Sequence, residues 1–384
     1  MRLGIAVLIA AYVLSQFYRA FLAVLAPALE REIGAGPEAL SLASGLWFAA
    51  FAAMQIPVGW ALDRIGPRRT AAWLLALGGG GGAALFAAAT SPWQISAAMA
   101  LIGIGCSPVL MASYLIFARS FDARAFATLA AMTIGIGSLG NLAGSAPLGW
   151  AAEAFGWRAS VWALAAATLA VALAALATVE DPPPAAEGAG GSLWEIVRMP
   201  AIWPILLLTL VAYAPAAGIR GLWIAPYLED AFGASAGTIG TATLVMALAM
   251  ILGAFAYGPL DRLLGTRKGV ALGGNAIMLG ALLALALMPL GLWGAVAAMA
   301  AVGFFGASYP LLMAHGRAFV PARLTGRGVT LINLFSIGGV GLAQVATGRI
   351  HAASAEPYRA VFLFFAAALA LGLAAYAFSR DRTD

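Results

Sequence analysis

The chain has 384 residues, of which 63% are hydrophobic and only 10% charged, with a formal net charge of +5. A soluble domain carries about 25% charged residues because its surface faces water, so this composition excludes a water-solvated globule and points to a surface that faces lipid. One cysteine, Cys106, and two histidines far apart, His315 and His351, exclude a disulfide framework and a thiolate or histidine metal cluster.

An apolar run of about 20 residues crosses a bilayer as a helix. Runs of that kind predict spans at 3–28, 40–61, 70–89, 93–117, 126–150 and 159–179. After a polar break they resume at 202–226, 235–259, 268–288, 291–314, 328–349 and 358–378. Arg2 precedes an apolar run too long for a signal-peptide core, and no small-residue cleavage site follows it. Gaps at Ser91-Pro92 and Pro289–Gly291 are short enough to make helical hairpins. The break from Glu180 to Arg198 contains three consecutive prolines from Pro182 and the run Gly188–Gly191, the composition of a linker. Three parts are therefore expected: a six-helix half over 1–180, a cytoplasmic linker over 181–201, and a second six-helix half over 202–384. Within the linker, Ser192 to Met199 is read either as a short amphipathic piece on the membrane surface or as an irregular linker end.

Basic residues set the orientation. With the N-terminus in the cytoplasm, 15 of the 21 Lys and Arg fall inside, and four (Arg31, Arg158, Arg349, Arg359) fall outside. The remaining two, Arg19 and Arg220, lie within spans. This bias predicts cytoplasmic N- and C-termini in a bacterial-type inner (plasma) membrane. The basic residues occur singly or in pairs between apolar runs, without interleaved aromatics, so no nucleic-acid partner is expected.

The chain repeats itself. Pro27-Ala-Leu-Glu-Arg-Glu-Ile-Gly-Ala after the first span is answered by Pro226-Tyr-Leu-Glu-Asp-Ala-Phe-Gly-Ala after the seventh. Asp63-Arg64 and Gly66 are echoed by Asp261-Arg262 and Gly265, and Ser107-Pro108-Val-Leu-Met111 by Tyr309-Pro310-Leu-Leu-Met313. The order is kept and the offset is nearly constant. The fold class expected is an all-α membrane protein of about twelve transmembrane helices, arranged as two parallel-repeat six-helix bundles.

With these features the chain resembles the major facilitator superfamily over essentially its whole length. The motif that carries the resemblance is Gly59-Trp-Ala-Leu-Asp63-Arg64-Ile-Gly66-Pro-Arg68-Arg69, between the second and third spans. Its second copy, around Asp261 and Arg262, is degraded: Tyr257 replaces the leading glycine and an extra leucine precedes Gly265. The resemblance implies secondary transport by alternating access. It also implies a cytoplasmic latch at Asp63, with Arg64, Arg68 and Arg119 as neighbours and Gly59 allowing close helix packing. Topology alone would account for Arg68 and Arg69. The fifth span lacks the Gly-Pro pair usual in the family's drug antiporters.

Arg19 and Arg220 are the candidate solute-binding residues. Arginine is costly inside a membrane and normally faces a polar cavity. Tyr12, Ser15, Gln16 and Arg19 share one stripe of the first span; Tyr213, Ala216, Arg220, Trp223 and Tyr227 share one of the seventh. All 16 Asp and Glu fall in loops or at helix ends. Such a distribution predicts a positive cavity selecting a small organic anion through bidentate contacts. The alternative for each arginine is a structural tie through backbone carbonyls and tyrosines. Tyr114, Asn141, Tyr309, Asn333 and Gln344 are weaker polar candidates, and His315 is the candidate proton-coupling residue. No cofactor and no metal is expected, the chain is read as a monomer, and nothing marks an enzyme. The competing readings are a proton-coupled drug or metabolite exporter of the same superfamily and a non-transporting membrane receptor or assembly factor.

Overall fold

The computed structural model describes residues 2–121, 123–182, 193–321 and 324–382; among these the side chains at positions 2, 63, 118, 123–128, 130, 131, 193, 258, 259, 261, 262 and 325–327 lie outside the described set. All regular structure among the described residues is helical. Ten helices are long and apolar enough to cross a membrane, and a bent pair makes eleven. They are α1 (Leu3–Phe17 with Phe21–Ile33), α2 (Pro37–Leu62), α3 (Pro67–Ala88) and α4 (Pro92–Phe117). The fifth expected span, 126–150, falls on α5 (Ala123–Ala143 with Ala146–Phe155), part of which lies outside the described side chains. Then come α6 (Trp157–Thr178), α7 (Pro200–Phe232), α8 (Ala236–Leu264), α9 (Arg267–Leu287), α10 (Leu292–Arg317), α11 (Thr325–Ala353) and α12 (Pro357–Ala377).

Local chemistry sets the boundaries. Proline opens α2, α3, α4 and α12, where its missing N–H is unneeded. At α4 the Ser91–Gln94 capping box adds side-chain partners for the free end. α1 and α7 both run past the proline near which the sequence pattern placed their ends, reaching Ile33 and Phe232. The buried Leu29 and Leu228, each two residues beyond its proline, hold the extra turn down. Both helices then stop at a left-handed glycine, Gly34 (φ 67°) and Gly233 (φ 61°), so the repeat read in the sequence recurs in the backbone.

The helices cluster into two compact units: Met1–Ala186 with Ser235–Thr241, and Glu187–Ala234 with Ala242–Asp384. In the first unit α6 is less enclosed than α2, α3 and α4, with 28% of its apolar window buried against 67% for α4. Trp60, Trp93, Trp150 and Trp162 present exposed rings, as expected of lipid-facing and interfacial positions. In the second unit the linker ends in a short helix, Leu193–Val197. It is amphipathic: Trp194 is exposed, whereas Ile196 is buried in a cluster with Ile202, Leu206, Leu324 and Ile332.

Candidate functional site

Arg19 sits where α1 breaks. The two pieces of the helix meet at 46°, and the residues between them are Tyr18, Arg19 and Ala20. There the bonding tightens: the Arg19 and Ala20 N–H groups donate to the carbonyls of Gln16 and Phe17, three residues back. Its neighbours anchor the break, since Tyr18 is fully buried, hydrogen-bonded to Thr168 of α6 (2.8 Å) and edge-on to Phe21. The Arg19 guanidinium lies over two α2 rings, 5.3 Å from the Trp47 centroid and 5.2 Å from that of Phe51. Those rings stack on one another at 5.2 Å and 19°. Among the described residues no carboxylate pairs with Arg19, and its Nε is buried without a hydrogen-bond partner. Gln16, one turn earlier, likewise has a buried and unbonded Oε1. Tyr12 packs against Gly137 of α5, where an added Cβ would lie 2.3 Å from its ring. Tyr114 is half-buried against the cluster around Leu8 and Phe117, and Asn141 is half-buried on α5.

Arg220 lies on the equivalent helix of the second unit, two residues past Gly218, which the repeat aligns with Arg19, and it too sits at a backbone irregularity. It lies in a five-residue π-helical turn, Ile219–Trp223, within α7; such turns widen the helix locally and recur at functional sites. Its side chain is buried, at 2% exposure. Tyr213 marks the other break in α7, between Trp203–Ala212 and Ala214–Gly218. Of the weaker polar candidates, Tyr309 of α10 donates to Asn333 of α11 (2.9 Å), so those two engage each other. Gln344 is fully buried with both amide atoms unbonded, beside Gly218.

In the loop motif, Arg68 binds an acid of its own unit. Arg68 donates its backbone N–H to Asp181 Oδ1 (2.8 Å) and sets its Nε 3.6 Å from Oδ2; Asp181 lies just past α6. In the second unit the Lys268 N–H donates to Asp381 Oδ1 (3.0 Å), Thr266 donates its hydroxyl to Oδ2, and Lys268 Nζ donates to the carbonyls of Ala377 and Ser379. Burial opposes ionisation of Asp381, but the bonds from Thr266 and Lys268 hold its carboxyl below the usual range. Arg68 and Lys268 are 200 residues apart, as are Asp181 and Asp381. Sequence reasoning missed both aspartates; the signal was an acid placed shortly after the last span of each half. The partner expected for Arg68 was Asp63, whose side chain, like those of Asp261 and Arg262, lies outside the described residues. Arg64 and Arg69 are exposed, and Arg119 lies in the last turn of the helical segment Val109–Ser120, which continues α4.

The motif's glycines differ in a way the sequence did not show. A Cβ added at Gly59 meets no atom of the described residues within 4 Å, so among these no close packing requires that glycine. Gly66, with φ 98° and ψ 150°, sits where essentially only glycine goes, and a Cβ there would lie 2.9 Å from Asp181 Oδ1. Gly66→Ala is therefore expected to destabilise the protein by about 1–3 kcal/mol, whereas Gly59→Ala is neutral or gains up to ~1 kcal/mol of helix propensity. Thermal unfolding of the two variants in detergent checks this, and equal shifts would contradict it.

His315 has both ring nitrogens engaged and is fully buried. Nε2 faces the Arg380 carbonyl at 2.9 Å, which only accepts, so Nε2 carries the hydrogen; Nδ1 then accepts from the Tyr376 hydroxyl at 2.6 Å. The ring ties α10 to α12 and to the C-terminal segment.

No curated protein sequence matches the chain. The sequence model of the Major Facilitator Superfamily matches residues 8–220 and again 205–384. Among solved structures, a bacterial homolog of the human lysosomal transporter Spinster, inward-facing and unoccupied, aligns with TM-score 0.78 at 19% identity, covering 97% of this chain and 95% of that one. A D-xylose–proton symporter aligns with TM-score 0.78 at 16% identity, covering 98% and 97%. The nucleoside transporter NupG aligns with TM-score 0.76 at 15% identity, covering 98% and 99%.

Proposed function

The chain belongs to the Major Facilitator Superfamily, and from that membership we propose that it is a secondary transporter moving a small organic anion across a membrane by alternating access. The observation that carries this reading is Arg19. Its guanidinium is oriented by two aromatic faces and, among the described residues, by no carboxylate, so its charge is held in place without being neutralised by them. A cation–π contact leaves the guanidinium edge free to make paired hydrogen bonds to a carboxylate or phosphate. Gln16, with an unbonded buried oxygen one turn away, adds a polar group on the same stripe. Arg220 on its π-helical turn is the candidate of the second unit. The excess of basic residues near the expected cytoplasmic ends supports an inner-membrane protein with both termini inside.

A neutral solute is the second reading, because two of the structural neighbours are by name a D-xylose symporter and a nucleoside transporter. One panel separates the two. Purified protein is heated with mono- and dicarboxylates, organophosphates, D-xylose and a nucleoside, and the unfolding temperature is recorded. A ligand at about 100 times its Kd stabilises the folded state by ~2.7 kcal/mol. Stabilisation confined to anions supports the proposal, and stabilisation by the sugar or nucleoside alone overturns it.

A further inference from the structure

The second unit holds a histidine that the anion reading does not use. His351 lies near the end of α11, where α7 ends and α12 begins, at the opposite end of α12 from the chain's C-terminal segment. Three residues of α11, at spacings of three and four, face α7 in succession. Gln344 sits beside Gly218, Thr347 accepts a hydrogen bond from Trp223 Nε1 (3.0 Å), and the His351 ring stacks on the Trp223 ring at 4.9 Å and 27°. From α12, Tyr358 closes the stack edge-on at 5.0 Å and donates its hydroxyl to Asp230 of α7. Trp223 is the last residue of the π-helical turn that carries Arg220. The imidazole is thus gripped by three helices, yet its Nε2 is buried with no hydrogen-bond partner.

We propose that His351 is a proton-binding site whose occupancy sets how firmly the end of α7 is held. The neutral ring suits the stack, which needs no hydrogen bond from Nε2. Protonation changes the balance among the surrounding charges. On α7, Asp230, which accepts the Tyr358 hydroxyl, attracts the imidazolium; the other charged residues of that part of α7 are Arg220 and the exposed Glu229. On α11 the neighbouring charge is the exposed Arg349, and at the start of α12 Glu356 and Arg359 pair with each other. The indole face also attracts a cation. Against these stands a charged Nε2–H in a pocket without an acceptor. A buried charge lacking a hydrogen-bond partner costs more than one cation–π contact returns. Proton uptake therefore expels the ring from the stack toward water and the Asp230 carboxylate. Trp223 then loses its cover, and the end of α7 loosens next to the turn that carries Arg220. This inference does not depend on which solute is carried.

The chain has only two histidines, which makes the test direct. In full-length protein labelled with 15N-histidine, one imidazole should take up a proton as the pH is lowered from about 7.5 to 5.5, and its resonances should be absent from His351→Gln. Hydrogen–deuterium exchange over residues 219–232, corrected for intrinsic chemistry, should rise at least about threefold between pH 7.5 and pH 5.5. In His351→Phe, which keeps an aromatic ring on Trp223 but binds no proton, that rise should vanish. If the wild-type ring is still neutral at about pH 5.5, or if the rise persists in His351→Phe, the proposal fails. Neither readout needs a transport substrate, so failure here is distinct from failure of the anion reading.

Discussion

Arg19→Gln is expected to weaken solute binding at least about 30-fold while the protein still folds, because truncating one side of a buried charge pair costs roughly 2–5 kcal/mol. The fold should survive because Arg19 supports little of it: among the described residues it makes two ring contacts and no ion pair. The packing around the break is carried by Tyr18, Phe21 and Thr168 instead. Arg19→Lys should recover only part of the affinity, since an ammonium offers a point charge without the planar fork. Trp47→Leu removes the better of the two faces and should cost about 0.5–2 kcal/mol of binding through misorientation alone. Binding is read by isothermal titration with whichever anion stabilises the protein most, and folding by size exclusion and unfolding temperature. Wild-type affinity in Arg19→Gln would remove the anion site from α1.

The fold was largely legible because a membrane span is a one-dimensional signal. Runs of about 20 apolar residues separated by charged loops admit few readings, and the match of Pro27…Gly34 with Pro226…Gly233 is enough to announce the duplication. What escaped was local. Nothing in the composition separates a helix that stops at Pro27 from one that continues past it, because the deciding fact is the burial of Leu29. The site was legible only as its charges. Trp47 and Phe51 are four residues apart on an apolar helix, a spacing that ordinary core packing uses everywhere, so their contact with Arg19 left no mark in the sequence. The π-helical turn at Ile219–Trp223 was equally silent, because the same residues fit a regular helix. Of the two histidines, the sequence singled out His315 as the proton-coupling candidate and gave His351 no role. Their hydrogen bonding separates them: both nitrogens of the first are engaged, and Nε2 of the second is not.

Energy coupling follows from the same charges, and the expected result is strict exchange. In proteoliposomes loaded with labelled solute, efflux should be accelerated about 100-fold by unlabelled solute on the other side. An arginine at mid-membrane costs at least ~2.5–3.5 kcal/mol, and a bound anion offsets that cost as the site closes and dehydrates. Without an anion the carrier must dehydrate Arg19 uncompensated, and an extra barrier of that size slows reorientation by roughly two orders of magnitude. A proton symporter avoids this barrier by neutralising a carboxylate within its spans, and this sequence places all 16 of its carboxylates in loops or at helix ends. Protons bound at His351 would change how fast the carrier turns over without supplying the driving force. Exchange whose rate varies with pH, but with no accumulation driven by pH alone, is therefore the expected pattern. Uphill uptake into vesicles free of counter-solute, driven by a proton gradient and lost in His315→Asn or His351→Gln, would show instead that one of the histidines couples the proton to transport.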